Sequence, residues 1–193
     1  MDSFQLHQIS RLIVKRDDSP VSLRAIKGVL RNAQEGELPL FAWTLGLSQI
    51  KLIQMLRACI PEVEALEPLS DRQYQSLLET TPADFFSLRH LLLELRSPEQ
   101  NVDHIDWLAR AIAAATQGSR HLWEDLGLNS RDEVSQLLQQ YFEPLYLQNT
   151  QNWKWKRFIY AQLGAAQGKP GLQPPKCMKC DEFAVCFPLS GNN

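Results

Sequence analysis

The sequence predicts an all-α protein, a single helical domain of about seven to nine helices that ends in a cysteine-rich loop. Three observations carry this expectation. Apolar residues recur at three- and four-residue spacing in one segment after another, the period of helices with one buried face. Helix-ending signals, among them Asp17-Asp18-Ser19-Pro20, Gly118 and Gly127, separate these segments. No alternating β-branched run and no Asn-Gly hairpin signal appears. The expected division is a helical domain over 1–163, followed by a linker and a metal- or cluster-binding tail over 164–193.

Taken in order, residues 3–16 read as an amphipathic helix through Phe4, Leu6, Ile9, Leu12 and Ile13. Ser22 is a candidate N-cap for a helix over 23–34, on which Leu23, Ile26, Val29, Leu30 and Ala33 recur at helical spacing. Pro39 opens an apolar turn from Leu40 to Leu45, closed by Gly46. Ser48 caps a helix over 49–59 with Ile50, Leu52, Ile53, Leu56 and Ile60 inward. Cys59, at its end among apolar neighbours, reads as a small hydrophobe. A short helix runs from about Ser70 through Leu78. Thr81-Pro82-Ala83-Asp84 starts the next, with a capping threonine, proline at the first helical position and an acid in the first turn. That helix buries Phe85, Leu88, Leu91, Leu92 and Leu95 and carries His90 as a surface or packed residue.

A helix over 100–117 presents Val102, Ile105, Leu108, Ala109, Ile112 and Ala115 to the core, with His104 exposed. His121 to Leu128 forms a short helix closed by Gly127. Ser130 and Glu133 have the capping-box spacing at the head of a helix carrying Val134, Leu137, Leu138, Tyr141 and Phe142. Pro144 interrupts it, and Leu145 to Leu147 continue the apolar surface. The last helix covers 152–163, with Trp155, Phe158, Ile159 and Leu163 on one face. Lys154 and Arg157 share a solvent-facing side and Lys156 points elsewhere. Gly164 to Pro175, rich in Gly, Gln and Pro, reads as a linker.

Composition narrows the class. The chain has 193 residues, of which 44% are hydrophobic and 22% charged, enough for a real core. A net charge of -2 gives no global pull toward nucleic acid or anionic lipid, so neither is an expected partner. The first residues show no basic n-region followed by an apolar run, and no stretch approaches the roughly 20 apolar residues of a membrane span. The expected compartment is the cytoplasm. No glycine-rich phosphate loop and no placeable acid–base constellation is present, so the chain is not expected to be an enzyme.

The chemistry concentrates near the C-terminus, where Cys177, Cys180 and Cys186 are spaced Cys-x2-Cys-x5-Cys. Thiolates prefer zinc, copper(I) or iron–sulfur clusters, and a two-residue gap lets one turn of chain aim two sulfurs at one metal or cluster. Pro170, Pro174 and Pro175 keep the segment out of a helix, so a loop presents the sulfurs. Structural zinc wants four protein ligands and only three are local, whereas a cluster with an open corner needs three. A structural zinc module and a thiol redox pair remain as alternatives.

The residues also carry a resemblance. His121-Leu122-Trp123-Glu124-Asp125-Leu126-Gly127-Leu128, then Arg131, then Asn149 with Trp153-Lys154-Trp155-Lys156-Arg157-Phe158, then the three cysteines and Phe187, are similar to the NifQ family. The likeness is firm over about 105–187 and general before that. It implies a carrier in nitrogenase cofactor assembly, which holds a molybdenum–iron–sulfur cluster and donates molybdenum for the iron–molybdenum cofactor. The implied partners are the nitrogenase iron protein and the cofactor-assembly scaffold. The family pattern is Cys-x4-Cys-x2-Cys-x5-Cys, and its first position is Leu172 here. A three-iron core needs only three thiolates, from Cys177, Cys180 and Cys186. Molybdenum would take the open corner with oxygen or nitrogen ligands from water, a partner or His121, for which a packed or capping role competes. The alternative is a degenerate member acting as a zinc-stapled interaction module. Lys154, Lys156 and Arg157 are expected to raise the local concentration of molybdate, the molybdenum source.

Overall fold

The structure, a computed structural model, describes residues 19–61, 68–180 and 182–187. The helix expected over 3–16 lies outside the described residues. Within them every regular element is helical: α1 (Val21–Gln34), α2 (Gln49–Cys59), α3 (Asp71–Glu79), α4 (Ala83–Glu94), α5 (Val102–Ala115), α6 (Leu122–Asp125), α7 (Arg131–Tyr141), α8 (Glu143–Gln148), α9 (Trp155–Ala166) and α10 (Phe183–Cys186). Two 3-10 turns, Leu40–Trp43 and Cys177–Lys179, complete the path. Those not expected from the sequence are α8, which Pro144 helps to start, and α10 inside the cysteine tail. Among the described residues no helix is long and apolar enough to cross a membrane.

The core forms around α5, whose Ala109 and Ala111 to Ala115 are buried together with Ile105, Leu108 and Ile112. Small side chains let α1 and α4 close on both sides of it. α6 is seated on α1 by backbone contact. A Cβ on Gly28 would lie 2.1 Å from the Leu126 carbonyl oxygen, and Gly127 turns the chain with φ of 64°. Asn32 Nδ2 donates to the carbonyls of Glu124 and Asp125, at 2.8 and 3.0 Å, which fixes the end of α6.

Several local expectations are corrected. α1 begins one residue after Pro20, so Ser22 is no cap; it is 1% exposed and donates to the Tyr141 hydroxyl at 3.0 Å. His104 is half-buried rather than exposed, with Nε2 2.9 Å from the Ser22 hydroxyl, and burial lowers its pKa. The three polar groups satisfy one another, which periodicity alone does not reveal. Ile50 and Val102 are exposed, since both sit in the first turn of their helices, ahead of the packed stretch. α4 starts behind Pro82, leaving Thr81 one residue too early to cap it. Ser130 does cap α7, but the Glu133 carboxylate turns to Asn129 and Arg24 instead of closing the box.

α9 starts at Trp155 and runs on to Ala166. The chain then turns at Gly168, and the Lys169 N–H donates to the Gly164 carbonyl at 2.7 Å. Leu172 packs against the core beside Gly164, and Pro174 is buried. From there the tail returns toward the N-terminal end of α9, which brings the cysteines to Lys154, Lys156 and Arg157.

Candidate metal centre

The returning tail, the head of α9 and the turn before α6 enclose a cleft of about 290 Å³. That is close to the lower end, about 300 Å³, of small-ligand pockets. Cys177, Cys180, Cys186 and His121 all line it, so the structure brings together the site residues read from the sequence. Cys59 stands apart at the end of α2, 2% exposed, with its thiol pushed up to about 11 by burial. Among the described residues no three His, Cys, Asp or Glu side chains converge tightly enough for a single metal ion. The three thiols instead line one shared cleft.

Local hydrogen bonds shape the tail. The Cys180 N–H donates to the Cys177 carbonyl at 2.9 Å, and the Phe183 N–H donates to the Cys180 carbonyl at 3.1 Å. α10 then ends on Cys186. Burial pushes the Cys177 thiol up to about 11, with the other two sulfurs adding to the rise and Lys156 opposing it. Burial likewise raises Cys186, with Cys180 adding and Arg157 and Lys154 opposing. Loading a metal here therefore displaces thiol protons.

Two clamps seat this tail, and the sequence reading missed the first. Glu182, inside the five-residue gap between Cys180 and Cys186, receives Lys154 Nζ at 3.0 and 2.8 Å. Its Oε2 is 3.6 Å from Nδ1 of His121. The second clamp is Arg157, whose guanidinium carbon lies 3.9 Å from the Trp153 ring centroid and 5.4 Å from that of Phe187. The signal for Glu182 was its place in the cysteine gap; nothing in the sequence said which cation it would meet.

The wall behind is built differently. Lys156 is 7% exposed and donates to the carbonyls of Gly118 and Arg120, at 3.1 and 2.6 Å, and to Oδ2 of Asp125. Asp125 is fully buried and also receives Arg120 Nε at 3.1 Å. Burial lowers the Lys156 pKa and Asp125 opposes that. A Cβ on Gly118 would come within 2.2 Å of the Asp125 carboxylate, so only glycine fits there. This network holds the turn carrying His121, which occupies the N-cap position of α6; its N–H donates to Glu124 Oε2 at 2.9 Å. Arg131 Nη2 donates to Asn152 O and Oδ1 and to Trp153 O, at 2.9, 2.7 and 3.1 Å. Asn149 and Trp153 exchange a reciprocal pair of bonds. Arg131 and Asn149 thus shape the entry to α9.

Comparison with known proteins gives one consistent result. A profile of the NifQ family matches residues 25–188. The chain is 31% identical over 170 residues to Protein NifQ of Azotobacter vinelandii, covering 84% of this chain and 86% of that one. It is 34% identical over 140 residues to Protein NifQ of Klebsiella pneumoniae, covering 62% of this chain and 84% of that one. A NifQ homolog of Sinorhizobium fredii is 34% identical over 146 residues, which are 74% of this chain and 60% of that one. No solved structure matches the chain. With the match running from α1 through the whole cysteine tail, the protein belongs to the NifQ family.

Proposed function

We propose that the chain is a molybdenum carrier and donor for nitrogen fixation, serving assembly of the nitrogenase iron–molybdenum cofactor, and not an enzyme. The observation that carries the reading is that Cys177, Cys180 and Cys186 line one cleft together with His121 and a basic helix end. Three thiolates hold an iron–sulfur core, and molybdenum, supplied as molybdate, joins it as cargo. Leu172 packs against Gly164 and is absent from the cleft lining, which supports a core held by three sulfurs and not four. His121 is the candidate nitrogen ligand, and Glu182 and Lys154 seat the loop that carries the sulfurs. The recipients in this reading are the nitrogenase iron protein and the cofactor-assembly scaffold, reached in the cytoplasm.

The test is iron content after anaerobic purification of Cys177→Ala, Cys180→Ala and Cys186→Ala. Each single variant is expected to lose bound iron, because no fourth local thiol replaces the missing one. Unchanged iron in all three would remove the assignment.

A further inference from the structure

The cations around the cleft are not equivalent. Five of them line it, Arg120, Arg131, Lys154, Lys156 and Arg157, against the single carboxylate of Glu182. Lys156 directs Nζ to two carbonyls and a carboxylate. Lys154 is neutralised by Glu182. Arg131 Nη2 is committed to Asn152 and Trp153. Arg157 differs, because its recorded partners are the Trp153 and Phe187 rings. Ring contacts do not use up the N–H donors of a guanidinium, and no acceptor among the described residues takes them. Arg120 is partly engaged. Its Nε holds Asp125 at 3.1 Å and lies 3.6 Å from Glu37 Oε2, while its Nη2 is buried without a hydrogen-bond partner among the described residues. A buried donor left in that state points to a missing acceptor.

We infer that Arg157, aided by Arg120, forms a docking subsite for a tetrahedral oxodianion, in which the anion is bound by guanidinium groups and not by sulfur. A planar guanidinium offers paired N–H donors that match two oxygens of an oxyanion, and ring contacts limit the freedom it must lose on binding. The identity of the anion, molybdate, rests on the carrier reading above; the subsite itself rests on the two arginines. It replaces the sequence expectation that Lys154, Lys156 and Arg157 act alike: Lys156 supports the wall, Lys154 clamps the tail, and Arg157 meets the anion.

The experiment is equilibrium dialysis of the metal-free full-length chain, kept reduced, against molybdate, with tungstate as competitor and chloride at matched ionic strength as control. Four proteins are compared: the natural chain, Arg157→Gln, Arg157→Lys, and a triple variant in which Cys177, Cys180 and Cys186 become Ser. The natural chain and the triple variant are expected to bind one molybdate within about threefold of each other. Arg157→Gln should lose about tenfold or more in affinity, and Arg157→Lys should fall between, because an ammonium is a point charge without the paired donors. The Lys variant also answers the case in which Arg157→Gln does not fold. No molybdate binding by the natural chain, or unchanged affinity in both Arg157 variants, overturns the inference. So does loss of binding in the triple variant, since the sulfurs would then hold the anion. Iron content of Arg157→Gln is measured separately: normal iron with weak molybdate binding separates this subsite from the cluster, whereas molybdate binding by a natural chain that never takes iron removes the iron–sulfur core of the proposed function and leaves this subsite standing.

Discussion

Lys154 and Lys156 stand two residues apart at the head of α9 and belong to different parts of the molecule. Lys156 faces inward to a fully buried carboxylate on α6 and is itself nearly buried. Lys154 faces outward to Glu182 on the tail, with both side chains about one-third exposed. The first pair is sealed into the helical body and fixes the wall of the cleft. The second is only partly buried, so solvent screens it and it contributes little to global stability, and it seats the part that carries the cysteines. The contrast teaches that this cleft combines a rigid back with a lightly held front. That division suits the proposed carrier role, in which cargo would enter and leave, because low local stability concentrates where elements move.

The largest expected effect breaks the buried side. Lys156→Met leaves Asp125 charged, buried and short of its main partner, at a cost of about 3–5 kcal/mol, read from urea unfolding. Replacing Asp125 by Leu in the same chain should recover part of that loss, because an apolar pair avoids the unpaired charge. If Lys156→Met unfolds at the natural midpoint, the two lysines are equivalent and the contrast fails.

A smaller global effect, but a sharper local one, is expected at the front. Glu182→Lys should change global stability by no more than about 1 kcal/mol, as for an exposed pair. Limited proteolysis within 167–187 should nevertheless accelerate several-fold, because the tail loses its ionic clamp. The double reversal, Lys154→Glu with Glu182→Lys, should restore protection. Protection lost in the single variant and not recovered in the double would mean that Glu182 acts through something other than Lys154.

How much of this was legible in the sequence differs between the same two parts. Helical periodicity located α1, α2, α4, α5, α7 and most of α9, because each buries a stripe against one core, whereas α3 was legible from its start at Ser70. The cysteine spacing located the front of the cleft. What the sequence hid were partners distant along the chain: Ser22 with Tyr141 and His104, Lys156 with Asp125, and Lys154 with Glu182. Each is a polar group whose role depends on which element folds opposite it, and residue type does not encode that. Helical spacing already set Lys156 apart from Lys154 and Arg157, and the fold agrees: Lys156 turns inward while the other two line the cleft with half-exposed side chains. Leu172 was legible only as a departure from the family pattern; its packing against Gly164 appears in the fold alone.

The smallest effect belongs to the body and is set by pH. Burial lowers the His104 pKa, so the folded chain prefers the neutral ring beside Ser22. A group whose folded pKa is depressed contributes stability that is present above its unfolded value, about 6.5 for histidine, and is lost as pH falls through the folded value. Melting temperature should therefore drop below about pH 6.5, and His104→Gln should flatten that part of the profile. Cysteine substitutions in the tail should leave this component unchanged, since it arises on α1, α5 and α7. A pH profile that follows the tail variants would show the two parts to be coupled.

The central claim is that three sulfurs and no fourth hold an iron–sulfur core that carries molybdenum. Its most direct test is the iron, sulfide, molybdenum and zinc content of the natural chain, purified anaerobically from cells supplied with iron and molybdate, with an absorption spectrum of the same sample. The account predicts about three irons per chain, matching sulfide, a broad band near 400 nm and bound molybdenum, as thiolate-ligated iron–sulfur chemistry requires. About one zinc per chain, no iron and no colour would contradict it and identify the tail as a structural zinc module.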